Sequence, residues 1–326
     1  MHTRMILAAV AALLLSATAL ADDTTPPQPQ SVAPGVWLIP GGIRPNREPD
    51  GNTVVFAAPD GLIVMDTGRH AWHRQAILDF ALAQGRPIAA IVNSHWHLDH
   101  VSGNPALRAA YPGLKVYASD AIDAALTGFL AKSAADAKPY LDSGKLPPET
   151  AQDVRGDIAT YQNGAALKPD VVIDRSATRT IAGKALAVNL APNAATAGDV
   201  WVYDPAARVA AVGDLVTLPA PFLDTACSAG WSKALAQIER TPFKTAIPGH
   251  GGPMTRVQFG TYRTAFDALL ACSASTRDAA ECAADWTKAV AELPGAGSPA
   301  QAQGMAAYYV TQVLRAHGGN SGECKA

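Results

Sequence analysis

The sequence predicts a mixed α/β fold, with two β-sheets packed together and helices on their outer faces. Three observations point to it. The pattern switches between strand and helix every roughly ten to twenty residues. Strand-rich blocks with interspersed helices recur in two halves of the chain. The chain has 326 residues, enough to bury one large core.

The elements follow in order. Residues 1–21 have a cationic start at Arg4, an apolar run from Met5 to Leu15 and the small-residue end Ala19-Leu20-Ala21. This is the pattern of a secretory signal peptide cleaved before Asp22, so the mature protein is expected to be exported, periplasmic or secreted. The run is too short to span a bilayer and no later stretch is long enough, which argues against membrane insertion. Residues 22–34, rich in Asp, Thr, Pro and Gln, read as a flexible lead-in, and 35–326 as the folded domain. Gly35–Ile39 reads as a strand, and Thr53–Ala57 and Leu62–Met65 as a hairpin around Pro59-Asp60-Gly61. Trp72–Gln84 is helical and closed by Gly85, and Ile88–Asn93 is an apolar strand. Gly103–Ala110 is a helix and Lys115–Ala118 a strand. Residues 120–168 form an Ala-rich helical insertion broken near Gly144 and Pro147-Pro148. Strands resume at Val171–Asp174, Thr178–Ile181, Ala185–Leu190, Val200–Asp204 and Val209–Val212. Helices follow at Ser232–Arg240, Arg256–Cys272, Ala279–Leu293 and Gln301–Ala316, the last ones forming a C-terminal extension.

A net charge of −2 offers no basic footprint, which argues against nucleic acid and leaves a small-molecule substrate as the expected partner. The oligomeric state is not legible. Four cysteines, Cys227, Cys272, Cys282 and Cys324, are an even number in an exported chain and read as disulfide-forming. Sequence allows three pairings. The short spacing favours a Cys272–Cys282 clip, which would leave Cys227 with Cys324 to tie the C-terminal tail to a loop.

The chemistry concentrates in His95-Trp96-His97-Leu98-Asp99-His100, which holds three of the chain's eight histidines and a carboxylate. His95 and His97 lie two apart, so on an extended segment their rings leave the same side and converge. If the chain turns after them, Asp99 and His100 point at a second position beside the first. Imidazole nitrogen with carboxylate oxygen suits zinc, and also iron or manganese.

With the apolar strand before it, this window resembles the signature of the metallo-β-lactamase-fold hydrolases. Other landmarks follow in that family's order: Val64-Met65-Asp66-Thr67-Gly68, Thr196-Ala197-Gly198-Asp199, Val212-Gly213-Asp214 and Ile247-Pro248-Gly249-His250-Gly251. The resemblance covers about residues 35–270. It implies a four-layer αββα sandwich with metals at one edge of two mixed sheets. It also implies a ligand set of His95, His97, Asp99, His100, Asp214 and His250. Asp66 is expected to support a ligand imidazole from behind.

One landmark departs. The family carries a histidine just before the Thr-x-Gly-Asp turn, where this chain has Ala195, and no histidine lies between His100 and His250. The nearby Asn193 offers only an amide, a weak zinc ligand. The first metal position keeps His95 and His97 with Asp214 shared, while the second keeps Asp99, His100, Asp214 and His250. The two sites are expected to be unequal, one zinc tight and a second weaker or absent.

The expected function is that of an exported zinc hydrolase acting on an ester, thioester, lactone or amide bond, β-lactams included. A zinc-activated water would be the nucleophile and Asp99 its orienting carboxylate. The competing reading is a non-catalytic metal- or ligand-binding relative. Zinc β-lactamases with a bridging cysteine often hold the substrate carboxylate with a lysine three residues later. Here the bridging residue is Asp214 and the later position is Thr217, which looks more like the thioesterase, lactonase and phosphodiesterase-like branches. Trp96, Phe222, Leu223 and Trp231 are candidates for an apolar substrate mouth or for plain core. His70 and His73, flanking Trp72 at a helix start, are expected on the solvated surface.

Overall fold

The computed structural model describes residues 25–324. The expected signal peptide lies outside the described residues. The strands are β1 (Gln30–Ala33), β2 (Val36–Ile39), β3 (Thr53–Ala58), β4 (Gly61–Met65), β5 (Ile88–Val92), β6 (Lys115–Ala118), β7 (Val171–Val172), β8 (Ala177–Ile181), β9 (Lys184–Pro192), β10 (Gly198–Asp204), β11 (Val209–Thr217), β12 (Thr245–His250) and β13 (Met254–Thr255). They form two mixed sheets, ordered β1-β2-β3-β4-β5-β6-β7 and β13-β12-β11-β10-β9-β8. Pairing is parallel from β4 to β7 and between β11 and β12, and antiparallel elsewhere.

The near-continuous apolar runs of the central strands follow from burial on both faces. In β4, Ile63 and Met65 point into the core between the sheets, joined there by Val92, Val200, Val202 and Ile247. Leu62 and Val64 point the other way, against Ile77 and Phe80 of α1 (Ala71–Ala83). In β11, Val209 and Ala211 face the other sheet while Ala210 and Val212 face the helices. This period of two is what a strand between two apolar layers requires. Next come α2 (Leu98–Val101) and α3 (Asn104–Ala110), then the expected insertion: α4 (Ala121–Thr127), α5 (Phe129–Asp142), α6 (Pro148–Gln162) and a 3-10 turn over Gly164–Leu167. Helices α7 (Ser228–Arg240), α8 (Arg256–Ser273), α9 (Ala279–Val290) and α10 (Pro299–Tyr308) complete the chain. Trp231, Phe266 and Trp286 of α7, α8 and α9 pack on the second sheet.

The sequence reading needs three amendments here. Residues 30–33 of the expected lead-in form an edge strand paired with β2. Met254–Thr255 adds a short strand to β12. The last expected helix gives way to a π-helical segment at Tyr309–Leu314. Both disulfides pair as expected, Cys272–Cys282 between α8 and α9 and Cys227–Cys324 from the start of α7 to the tail. They are compatible with an oxidising compartment. No described helix is long and apolar enough to cross a membrane.

Candidate metal centre

Strands of both sheets deliver the site at one edge of the sandwich. β4 ends into Asp66 and β5 into Ser94 and His95, while β11 carries Asp214 and β12 closes with His250. His97 precedes α2, whose first turn places Asp99 and His100. Two glycines are needed for this convergence. A Cβ at Gly51 would lie 2.3 Å from Cε1 of His100, and one at Gly249 would lie 1.9 Å from Oδ1 of Asp214. Asn52 pins the loop that carries His250. It accepts from Gly41 N, donates to the carbonyls of Pro248 and Gly251, and its own N–H donates to Gly249 O at 2.7 Å.

Hydrogen bonds behind the rings set which nitrogen each histidine presents. Ser94 donates its one hydroxyl proton to Asp66 at 2.6 Å, so it accepts from Nδ1–H of His95 at 2.8 Å. Asp66 also accepts from Nδ1–H of His100 at 2.9 Å. Thr225 donates to Ala195 O at 2.8 Å and accepts from Nε2–H of His97 at 3.0 Å. His95 and His100 therefore direct Nε2 into the site, and His97 keeps Nδ1 for ligation.

Two trios of ligand atoms lie mutually within 4.8 Å, His95 with His100 and Asp214, and Asp99 with His100 and His250. Five of the six expected ligands thus converge. His97 joins neither trio, though its ring centroid is 4.3 Å from that of His95. In the second trio His250 Nε2 is 2.9 Å from Asp99 Oδ2 and 3.3 Å from His100 Nε2. Around the first, His95 Nε2 is 3.7 Å from Asp214 Oδ2. His95 Nε2 is buried with no hydrogen-bond partner, and Asp214 Oδ1 has only Nε2 of His100 at 3.2 Å and of His250 at 3.6 Å beside it. Buried polar atoms are seldom left so, and a cation among these nitrogen and oxygen donors would satisfy them. The residues fit a metal.

The electrostatics divide the histidines into two pairs. Burial, joined by neighbouring His97 and His100, holds His95 well below the usual imidazole range. Burial likewise lowers His97, to about 4. Burial works against the charge of His100 and His250 too, but Asp214 and Asp99 outweigh it and raise both. Asp99 and Asp214 are held below the carboxylate range by those imidazoles, despite burial. Protons on His100 and His250 are what a metal would replace.

Ala195 is 1% exposed and lies one hydroxyl away from His97. The following turn is pinned by Asp199, which accepts from Thr196 N and is pushed up to about 7 by burial. No imidazole from this segment reaches the site.

Residues 47–250 match the model of the metallo-beta-lactamase superfamily. The chain belongs to that superfamily. It is 32% identical over 85 residues to hydroxyacylglutathione hydrolase of Gloeobacter violaceus, a match covering 26% of this chain and 26% of that protein. It is also 40% identical over 50 residues to a linear primary-alkylsulfatase of a Pseudomonas species, covering 15% and 10%. The matches thus span 26% and 10% of these relatives' own lengths. Among solved structures, a metallo-beta-lactamase from Pontibacter korlensis aligns with TM-score 0.54 and 19% identity over 74% of this chain and 98% of that one. The inverting sec-alkylsulfatase Pisa1 from Pseudomonas sp. aligns with TM-score 0.58 and 21% identity over 87% and 50%. These similarities confirm the sandwich. Superfamily members include hydrolases that cleave thioesters, sulfate esters and β-lactams.

The structure corrects the reading of His70 and His73, which are 7% and 1% exposed rather than solvated. His70 donates from Nδ1 to Asp50 at 2.8 Å, and its Nε2 lies 3.2 Å from Asp153 of α6. His73 packs through Nε2 on Thr53. Of the four candidate mouth residues, Trp96 and Phe222 line the cavity over the ligands. Leu223 and Trp231 are core, with Trp231 donating to Leu215 O. Asp50, Asn52, Arg69 and Thr225 escaped the sequence reading. Only the tripeptide Asp50-Gly51-Asn52, a turn signal directly before a strand, marked any of them.

Proposed function

We propose that the protein is an exported, zinc-dependent hydrolase that cleaves an ester, thioester, lactone or amide bond. Its ligands are His95, His97, Asp99, His100, Asp214 and His250, and Asp99 is the catalytic carboxylate. The observation that carries the reading is the convergence of His95, Asp99, His100, Asp214 and His250, with the buried Nε2 of His95 left without a hydrogen-bond partner. Such a zinc ion lowers the pKa of its bound water toward ~7 and polarises a carbonyl oxygen.

The protein's own residues do the rest. Asp99 lies at the cavity floor, where it orients the attacking water and takes its proton. The water oxygen bonds to the carbonyl carbon, the bond to the leaving group breaks, and the proton passes to the leaving group. Asp66 and Ser94 hold His100 and His95 in the tautomers that present Nε2. The aromatic rings of Trp96 and Phe222 exclude water from one side of His97. With Ala195 contributing no imidazole, the site built on Asp99, His100, Asp214 and His250 holds zinc more tightly than the one built on His95 and His97. Two disulfides and the N-terminal leader pattern support export.

The test is a panel of an ester, a thioester, a lactone and a β-lactam, assayed on chelator-stripped and zinc-reloaded protein. Hydrolysis of at least one class, lost on stripping and restored by zinc, is the expected result. Zinc bound with no turnover of any class would favour the non-catalytic relative.

A further inference from the structure

The cavity above the ligands has a volume of about 370 Å³. Its walls come from elements far apart in sequence: Trp96 and Leu98 beside the ligands, Phe129 and Leu130 of the insertion, Phe222 after β11, and Met305 of α10. The rings of Trp96 and Phe129 pack tilted with centroids 5.5 Å apart, and Leu130 shares a buried cluster with Trp96. Such a surface gains by covering an apolar group.

Charge around the cavity is arranged the other way. Leaving aside the ligand histidines, Arg69 is the only cationic side chain among its described lining residues, against the carboxylates of Glu48 and Asp157. Arg69 is already committed. Its guanidinium bonds Asp157 of α6 and the carbonyl of Pro49, and lies 4.0 Å from Asp99 Oδ1. The later position where a lysine would hold a substrate carboxylate is Thr217, whose hydroxyl donates to Asp214 O. A carboxylate on the substrate's far end would meet no unpaired cationic side chain among the described lining residues and two like charges.

We propose that the site selects substrates whose group beyond the scissile bond is apolar and uncharged, a neutral acyl chain, and that Asp157 enforces this by occupying Arg69. The assignment of the scissile bond rests on the hydrolase reading above; the preference for a neutral chain rests on the cavity alone. Asp157 comes from the helical insertion rather than from the sandwich, so the insertion sets specificity by charge as well as by shape.

Two probe pairs of equal chain length test it on the zinc-loaded protein. For turnover, p-nitrophenyl hexanoate is compared with mono-p-nitrophenyl adipate. For binding, hexanohydroxamate is compared with the monohydroxamate of adipic acid by calorimetry. The neutral member should be preferred in both, on the order of tenfold or more, as befits one uncompensated charge. Asp157→Asn should narrow the preference several-fold by freeing Arg69, while Asp157→Glu should keep it. Equal handling of the neutral and anionic members by the wild-type protein would overturn the proposal, whether or not the variants fold. An unchanged ratio in folded Asp157→Asn would overturn the role of Asp157. Preference between the hydroxamates with no turnover of any class of the ester, thioester, lactone and β-lactam panel would support the proposal and overturn the hydrolase reading instead.

Discussion

Two buried polar clusters of this protein contain nearly the same residue types and are built on opposite principles. Around Asp50 every acceptor has a donor. One carboxylate oxygen takes the backbone N–H groups of Arg69 and His70, and the other takes Nδ1–H of His70 and Nε1–H of Trp72. At the ligand cluster the carboxylates are met by ring nitrogens, His250 Nε2 at 2.9 Å from Asp99 and His100 Nε2 at 3.2 Å from Asp214, and His95 Nε2 has no hydrogen-bond partner. The first cluster's carboxylate is satisfied by the chain itself, and the ring nitrogen left without a hydrogen bond, His70 Nε2, lies 3.2 Å from Asp153 Oδ1. The second is complete only when a cation, or protons, enter. A histidine–aspartate cluster is thus read by counting donors against acceptors, not by its composition.

Within the second cluster the same contrast separates the two metal positions, and four expectations sharpen it. Ala195→His should have the largest effect, because it restores an imidazole where only a backbone carbonyl and the Thr225 hydroxyl now meet. In a variant shown to be folded, zinc titration should tighten the weaker site by more than the roughly 10–100-fold that a supporting hydrogen bond is worth. If folded Ala195→His binds no better than the parent, Ala195 does not occupy a ligand position.

Acidification should act next, and unequally. His100 and His250 are raised by Asp214 and Asp99, so they take up protons first as pH falls, and zinc must displace them. Affinity at the tight position should fall below neutral pH by up to about 100-fold per pH unit, tenfold per proton. His97 stays neutral down to about 4, so the gap between the positions should narrow in acid. Calorimetric titrations over a pH series check this, and a gap that widens would contradict it.

The Asp50 cluster should respond to acid through stability instead. Burial raises Asp50, but the hydrogen bonds from His70 and the charges of His73 and His70 together outweigh it and lower the group from 3.8 to about 2. The stabilisation is therefore fully present above pH ~4 and is lost as pH falls toward 2, about 2 kcal/mol in all. Urea unfolding of the metal-free protein should show that loss, and Asp50→Asn should remove it while lowering stability at neutral pH. The smallest effect is expected from Thr225→Val, which frees the tautomer of His97. It should weaken the second zinc by about tenfold and leave the tight one unchanged.

The ligand window was legible because it is local: His95 to His100 needs only a strand end and a turn to converge. Asp214 and His250 were legible because each sits in a short motif, His250 at the end of β12 and Asp214 inside β11, which runs on to Thr217. The Asp50 cluster was not, because its cover comes from the insertion, where Gln152 and Asp153 contact Arg47 and Glu48 across 105 residues. Nothing local distinguishes His70 from a solvated histidine at a helix start. The two packed sheets were legible from the strand-rich blocks with interspersed helices in two halves of the chain, and the sandwich from the family's landmarks. The edge strands at Gln30–Ala33 and Met254–Thr255 were not, since edge strands carry no apolar alternation of their own.

The central claim is that one centre holds two unequal metal positions. Elemental analysis of protein purified without added metal, alongside Asp99→Ala and His95→Ala, tests it most directly. Close to one zinc per chain is expected in the parent and in His95→Ala, and little in Asp99→Ala. Zinc retained by Asp99→Ala but lost from His95→Ala would contradict the account, placing the tight metal at the position beside Ala195.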